Sequence, residues 1–192
     1  VTIRLFGLAN SCDMICSPMS LEVEVRVTMT AAAVASSNAG ICAICTTASA
    51  YAGSYDDSLA AVPDVELFTS ACPLFVEFVE AGVTGGADLE AIAHDYLAPL
   101  QLAGIDTLIL GCTHYPLLTG VINYVLGDSV TLVSSAEECA KATWTTLNEL
   151  GLLNHAPRQA TREFLTTGNP QKFQGIGSRL MGGFVTEVGG VW

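Results

Sequence analysis

The segment Gly111–Leu118, with the sequence GCTHYPLL, places a thiol, a hydroxyl and an imidazole in three consecutive residues, Cys112, Thr113 and His114. One apolar run precedes this segment and a second, from Val121 to Leu126, follows it. That order predicts a strand, a tight turn and a helix. Because ligands bind at the carboxyl ends of strands in open α/β sheets, we expect these three side chains to lie at a binding edge.

A cysteine at this position could act as a base or a nucleophile. The reactive form of cysteine is the thiolate, which the positive end of a helix dipole and the unpaired N–H groups of a first helical turn both favour. We therefore expect Cys112 to begin a helix and to be partly ionised. His114, two residues away, is close enough to accept or donate a proton to that thiol.

The composition restricts the class of protein. The chain has 192 residues, of which 51% are hydrophobic and 14% charged, so it can build a substantial core. Its net charge of −12 argues against nucleic acid or an anionic membrane surface as the main partner. No run of about 18 apolar residues predicts a membrane span. The chain also starts without a convincing signal peptide.

The seven cysteines are odd in number and lack the spacing of a disulfide framework. Reduced thiols in the cytosol are therefore the better interpretation. Cys12 and Cys16 have no second close pair to face, so we expect no structural zinc site. Cys42 and Cys72 are expected in the core, because free cysteine is commonly buried.

Strand and helix patterns alternate along the chain, which predicts an α/β fold with a largely parallel sheet. The expected strands cover residues 21–27, 41–45, 65–68, 105–110, 130–133 and 162–166. The expected helices cover residues 30–37, 48–61, 75–80, 88–102, 121–126 and 135–150, with a last one starting at Pro170. Asn169 and Pro170 predict the start of that last helix, and Ser135 with Glu138 predicts a capping box.

GCTHYPLL resembles the second catalytic-cysteine motif of the glutamate racemases. Other segments are similar to the same family: Ala71–Val76, Val79–Gly82, Val133–Glu137 and Thr166–Pro170. The resemblance therefore extends from about Ile41 to about Gly182. It implies two pseudo-symmetric flavodoxin-like lobes with largely parallel sheets. The second lobe would be residues 41–133, and a reduced first lobe would be residues 1–40 plus 134–192.

The resemblance also implies an isomerase that interconverts L- and D-glutamate for peptidoglycan biosynthesis in the cytoplasm. That reaction needs no cofactor and no metal, because two thiols on opposite faces of the substrate remove and return the Cα proton. The motif match implies catalytic roles for Cys112, His114 and Glu80. It implies substrate contacts for Thr113, His114 and Thr46. Glutamate is then the small-molecule partner, and a homodimer is the expected assembly.

The partner thiol is not evident in the sequence. Cys45 is followed by Thr46-Thr47-Ala48-Ser49, but it lies only 67 residues before Cys112, and the two catalytic cysteines of the family are much farther apart. On the better alignment Cys45 replaces a glycine of the family. The segment Leu8–Ser11 then has Ala9 in the place of the first cysteine. The family's opening motif Phe-Asp-Ser-Gly-Val-Gly-Gly is absent.

Three hypotheses stay open from the sequence. The chain is a working racemase whose missing acid comes from Cys12, Cys16 or a partner chain; or it is an inactive, truncated relative that binds an amino acid; or it is a related isomerase of another small carboxylate. A shortened first lobe would expose apolar surface, so we also expect self-association.

Overall fold

The computed structural model describes residues 2–7, 32–34, 37, 40–53, 55–60, 65–155 and 161–191. The chain divides into two compact units, one formed by Ser17–Thr146 and the other by Val1–Cys16 with Leu147–Trp192. Each unit has its own parallel sheet. The lobe boundaries that the resemblance implies, at residues 40/41 and 133/134, stay a prediction.

The structure describes seven strands and, besides the helical residues 32–34, seven helices. The strands are β1 (Thr2–Gly7), β2 (Gly40–Cys45), β3 (Glu66–Ala71), β4 (Thr107–Leu110), β5 (Thr131–Ser134), β6 (Thr161–Thr166) and β7 (Val188–Gly190). The helices are α1 (Thr47–Tyr51), α2 (Asp56–Leu59), α3 (Pro73–Glu80), α4 (Ala87–Leu102), α5 (Thr119–Leu126), α6 (Ser135–Glu149) and α7 (Pro170–Met181). Two 3₁₀ turns cover Tyr115–Leu118 and Gly182–Phe184.

The expected α/β class with parallel sheets is confirmed. In the larger unit the strand order is β3-β2-β4-β5, and all three pairings are parallel. In the smaller unit the order is β1-β6-β7, again with parallel pairing. β1 and β7 are not among the strands expected from the sequence. β7 has only three residues, which is too short for a periodic pattern, and the alternation of Ile3 and Leu5 with Thr2 and Arg4 in β1 is a short signal that was missed.

The core of the larger unit lies on both faces of its sheet. Strands β2 and β4 are buried along their whole length, because they occupy the middle of the sheet. Alternate side chains of these strands point to opposite faces. Cys42, Ile44, Leu108 and Leu110 belong to one cluster, which α3, α4 and α5 complete. The residues between them, such as Ile109, join Tyr55 and Leu59 in a second cluster.

Several predicted elements differ from the observed ones. The single helix expected over residues 48–61 is divided into α1 and α2, because Gly53 between them has a φ of +59° that interrupts a helix. The helix expected over residues 121–126 is confirmed as α5, which begins two residues earlier, at Thr119, directly after the 3₁₀ turn. The strand expected over residues 21–27 lies outside the described residues.

The two predicted helix starts have different outcomes. Asn169 accepts a hydrogen bond from the Lys172 N–H at 2.8 Å, and Pro170 occupies the first turn, so the cap of α7 is confirmed. The capping box at Ser135 is wrong by one residue. Ser134 accepts the N–H of Glu137 at 3.4 Å, since β5 ends at Ser134 and leaves its side chain to cap α6.

Gly111 is required where β4 meets the turn. A Cβ atom there would collide with the Tyr55 hydroxyl and would lie 2.9 Å from the Ile44 carbonyl oxygen. We expect Gly111→Ala to lower the free energy of unfolding by about 1–3 kcal/mol, since the collision forces buried groups apart. Urea unfolding followed by circular dichroism measures the change.

Gly120→Ala is the matched control for this prediction. A Cβ at Gly120, in the exposed part of α5, would meet no atom within 4 Å. That variant should be no less stable than the parent, because Gly120 lies in the first turn of α5 and alanine favours helical backbone over glycine. Equal effects of the two substitutions would show that the space at Gly111 is not limiting.

Candidate active site

The chemistry-bearing residues lie at the carboxyl edge of the larger sheet. Cys112 follows β4, and Thr46 follows the neighbouring strand β2. Backbone pairing continues just past both strands, since the Gly111 N–H donates to the Ile44 carbonyl oxygen at 2.9 Å. The parallel direction of the strands therefore brings the two segments to one edge, where α/β proteins bind ligands.

Cys112, His114 and Glu80 form a continuous chain of polar contacts. The Cys112 Sγ is 3.7 Å from His114 Nδ1, and His114 Nε2 is 2.9 Å from Glu80 Oε1. Glu80 is the last residue of α3, and it reaches the imidazole across 34 positions of sequence. The three residues expected to be catalytic are thus brought together by a strand end, a turn and a helix end.

The burial of the three groups decreases from the thiol to the carboxylate. Cys112 is only 8% exposed, whereas the side chains of His114 and Glu80 are 23% and 50% exposed. A carboxylate only accepts hydrogen bonds, so Glu80 favours the ring form with a proton on Nε2. Nδ1 then faces the thiol. It can accept the thiol proton, and the resulting imidazolium can donate back to the thiolate.

Thr113 and Thr46 occupy two different environments. The exposed Thr113 hydroxyl is 3.4 Å from His114 Nδ1, so it lies within the group around the imidazole. The Thr46 hydroxyl accepts the Ser49 N–H at 3.3 Å and is 3.1 Å from the Ser49 hydroxyl. Thr46 therefore caps α1 at the adjacent strand end, and its hydroxyl is engaged with Ser49 and not with the imidazole.

The expectation that Cys112 begins a helix is corrected by the structure. The Tyr115 N–H donates to the Cys112 carbonyl oxygen at 3.2 Å, which starts the 3₁₀ turn Tyr115–Leu118. The α-helix starts at Thr119, seven residues after Cys112. Because the effect of a helix dipole falls off within one turn, α5 does not stabilise a thiolate at Cys112. The imidazole of His114, 3.7 Å from the thiol sulfur, is in a position to do so.

Three other thiols of this unit are buried and resist ionisation. Burial raises the pKa of Cys45 to about 11, and the nearby Asp56 carboxylate adds to the increase. Burial also raises the pKa of Cys72 to about 12, although a hydrogen bond with Ser70 opposes part of it. The pKa of Cys42 is raised well above its ordinary value for the same reason of burial. These thiols stay protonated at neutral pH, as core residues do.

Tyr115 is a site residue that the sequence analysis did not single out. Its fully buried ring carries a hydroxyl 2.9 Å from the Cys45 carbonyl oxygen and 2.9 Å from that of Cys72. The one sequence signal was its place in GCTHYPLL, beside His114. An aromatic residue there is equally typical of a core position, so its type alone did not indicate these contacts.

Within the part of the chain that the structure describes, no group of three His, Cys, Asp or Glu side chains could hold a metal ion. None of the helices in those same ranges is long and apolar enough to cross a membrane.

Comparison with known proteins gives a consistent group of relatives. No protein-family model matches the chain. It is 50% identical over 169 residues to a glutamate racemase from Parafrankia sp., covering 86% of this chain and 61% of that protein. A crystal structure of a Bacillus anthracis glutamate racemase isoform superposes with a TM-score of 0.80 at 32% identity, covering 88% of this chain and 63% of that one.

A third comparison includes a bound ligand. The structure of a Francisella tularensis glutamate racemase in complex with D-glutamate matches with a TM-score of 0.74 and 27% identity. It covers 87% of this chain and 61% of that chain. The present chain thus spans about three fifths of the length of the curated relatives it matches.

The buried thiols predict a loss of stability in alkali. The unfolded chain releases thiol protons near pH 9, whereas Cys45 and Cys72 hold theirs to about pH 11 and 12. Between these values the unfolded chain binds fewer protons, so the free energy of unfolding decreases as the pH rises. Urea titrations at pH 8, 9 and 10 measure the slope.

We expect Cys72→Ala to reduce that slope by up to about 1.4 kcal/mol per pH unit above pH 9, because one raised pKa has been removed. Cys139→Ala, which removes a partly exposed thiol from α6, is the matched control and should keep the slope of the parent. An unchanged slope in Cys72→Ala would contradict the prediction.

Proposed function

The chain is a homologue of the glutamate racemases over most of its length, and from that premise we propose that it carries a glutamate racemase site. Cys112, assisted by His114 and Glu80, is the group that moves the Cα proton on one face of glutamate. The observation that carries the proposal is the unbroken contact from the Cys112 thiol through His114 to the Glu80 carboxylate.

The proposed chemistry is a proton transfer without a cofactor. The Cys112 thiolate takes the Cα proton of glutamate and becomes a thiol, and the electron pair of the broken C–H bond stays on the substrate as a carbanion. A second acid on the opposite face then donates a proton to Cα, which inverts the centre. In the reverse direction the Cys112 thiol donates its proton and is a thiolate again.

Each neighbour of the thiol has a distinct role in this proposal. The imidazolium of His114 stabilises the thiolate before the transfer, because it places a positive charge beside Sγ. Glu80 orients the ring and supports its positive charge, as carboxylates do for catalytic histidines. Thr113, His114 and Thr46 supply donors for the two substrate carboxylates, which must be held while the carbanion forms.

The second acid–base group is the open part of the proposal. Cys45 is a poor candidate because its pKa is raised to about 11. Along the sequence, Cys12 and Cys16 are the thiols nearest to Ala9, which stands where the resemblance places the first catalytic cysteine of the family. All three residues lie outside the described part of the chain. We assign the second acid to Cys12 or Cys16, or else to a second copy of the chain.

The proposal includes a cytoplasmic location, a homodimer and the supply of D-glutamate for peptidoglycan.

Exchange of the Cα proton in D₂O tests the assignment of Cys112. We expect the chain to replace the Cα proton of L-glutamate with deuterium, and Cys112→Ala to lower that rate by at least about 100-fold, since the base is removed. Proton NMR follows the signal, and chiral chromatography follows the product. Cys139→Ala should exchange at the parental rate. Equal rates in the parent and Cys112→Ala would exclude Cys112 as the base.

Removal of both N-terminal thiols tests the second acid. We expect the Cys12→Ala/Cys16→Ala double variant to exchange the Cα proton of L-glutamate without inverting it, because only the Cys112 face can then return a proton. The ratio of deuterated L- to D-glutamate measures this. Inversion by the double variant at the parental rate would place the second acid elsewhere. If the parent chain binds glutamate without exchanging its Cα proton, an inactive amino-acid-binding protein is favoured.

A further inference from the structure

Tyr115 contacts both segments that carry Cys112, His114 and Glu80, namely the turn after β4 and the start of α3. It directly follows His114, and its N–H donates to the Cys112 carbonyl oxygen at 3.2 Å. Its hydroxyl is 2.9 Å from the carbonyl oxygen of Cys72, the residue that precedes α3 and hence Glu80. One buried side chain therefore joins the turn that holds the imidazole to the helix that holds its carboxylate.

The same hydroxyl also contacts the segment that carries Thr46. It lies 2.9 Å from the carbonyl oxygen of Cys45, the last residue of β2 and the neighbour of Thr46. A phenol has one proton, so it donates to the two carbonyl groups in alternation or shares the proton between them. Either way, a single oxygen atom is in contact with the ends of β2 and β3 at once.

The two carbonyl groups do not depend on Tyr115 for a hydrogen bond. The Cys45 carbonyl oxygen also accepts the Cys72 N–H at 3.0 Å, and the Cys72 carbonyl oxygen accepts the Phe75 N–H at 3.2 Å. Loss of the phenol would leave neither of them without a donor. The two carbonyl groups are therefore satisfied without the Tyr115 hydroxyl. Its additional contacts affect the positions of the ends of β2 and β3.

Packing holds the ring independently of its hydroxyl. The Tyr115 ring meets the Phe75 ring edge-on, with centroids 5.6 Å apart, and Phe75 meets Tyr96 in the same way at 5.2 Å. Phe75 belongs to α3, five residues before Glu80. A phenylalanine at position 115 would keep this packing and lose only the polar contacts.

We propose that the Tyr115 hydroxyl is a positioning group that sets the separation of Glu80 from His114 and of Thr46 from Cys112. It does so because it fixes the ends of β2 and β3 to the turn after β4. This inference deepens the proposed function and rests on it. Tyr115 is fully buried, so it acts through the residues that meet the substrate.

The first test is an alkylation profile that requires no turnover. Iodoacetamide labels Cys112 of the full chain at a series of pH values, and mass spectrometry of the peptide gives its rate, with Cys139 as an internal reference. We expect Tyr115→Phe to move the pH midpoint of Cys112 labelling in the same direction as Glu80→Gln, because both weaken the hold on His114. Para-aminophenylalanine at position 115, which restores a donor, should return the midpoint toward the parent.

Tyr96→Phe is the matched control. It removes a hydroxyl from the other tyrosine that packs on Phe75, where the oxygen accepts the Leu74 N–H at 3.4 Å. We expect its labelling profile to overlay that of the parent. A shift of the same size in Tyr96→Phe would show a general loosening of α3, and no shift in Tyr115→Phe would remove Tyr115 from the site. No shift in Glu80→Gln would overturn the inference as well.

Turnover gives the second readout. Tyr115→Phe should lower kcat for Cα exchange of L-glutamate by about tenfold with a smaller change in KM, as displaced supporting groups do. If the parent exchanges no proton, the proposed function fails while the alkylation profile still decides the role of Tyr115. If the parent exchanges and Tyr115→Phe does so at the same kcat, the proposed function stands and the positioning role is wrong.

Discussion

Parallel pairing of β2 with both of its neighbours is the constraint on which the candidate site depends. β2 pairs with β3 along six residue positions and with β4 along four, so the carboxyl ends of all three strands meet at one edge. The pairing continues beyond the strands, from the Gly111 N–H to Ile44 and from the Cys72 N–H to Cys45. These extra bonds bring Thr46, α3 and Cys112 to adjacent positions. The lack of a side chain at Gly111 makes the approach of β4 compatible with Tyr55.

The five thiols described in the structure show how strongly position decides chemical character. Cys42, Cys45 and Cys72 lie in the core, where burial removes the hydration that a thiolate needs, so their pKa values rise. Cys112 is nearly as buried, yet it has an imidazole at 3.7 Å whose far nitrogen meets a carboxylate. Because a thiol reacts as its thiolate, this contact distinguishes Cys112 from its buried neighbours and makes it the candidate proton-transfer group.

The turn after β4 contains both candidate reactive residues and residues that hold the turn in place. Cys112 and His114 carry the reactive groups, whereas Tyr115 is fully buried and touches two strand ends. Thr119, the first residue of α5, ends the turn, and its hydroxyl donates to the Pro116 carbonyl oxygen at 2.7 Å. These contacts hold the turn against its neighbours and so position the thiol and the imidazole, as proton transfer between the two groups requires.

The sequence alone determined the fold class, because alternating apolar strands and amphipathic helices leave few ways to bury their faces other than a parallel α/β sheet. It also indicated the candidate site residues Cys112, Thr113 and His114, because they are adjacent in the chain. Local motifs such as Asn169-Pro170 were equally accessible, since a helix cap depends only on neighbours.

Tertiary structure decided what depends on distant residues. The contact of His114 with Glu80 joins positions 34 apart, and that of Tyr115 with Cys45 joins positions 70 apart. No local pattern contains such pairs, so the resemblance supplied Glu80 and nothing supplied the Tyr115 contacts.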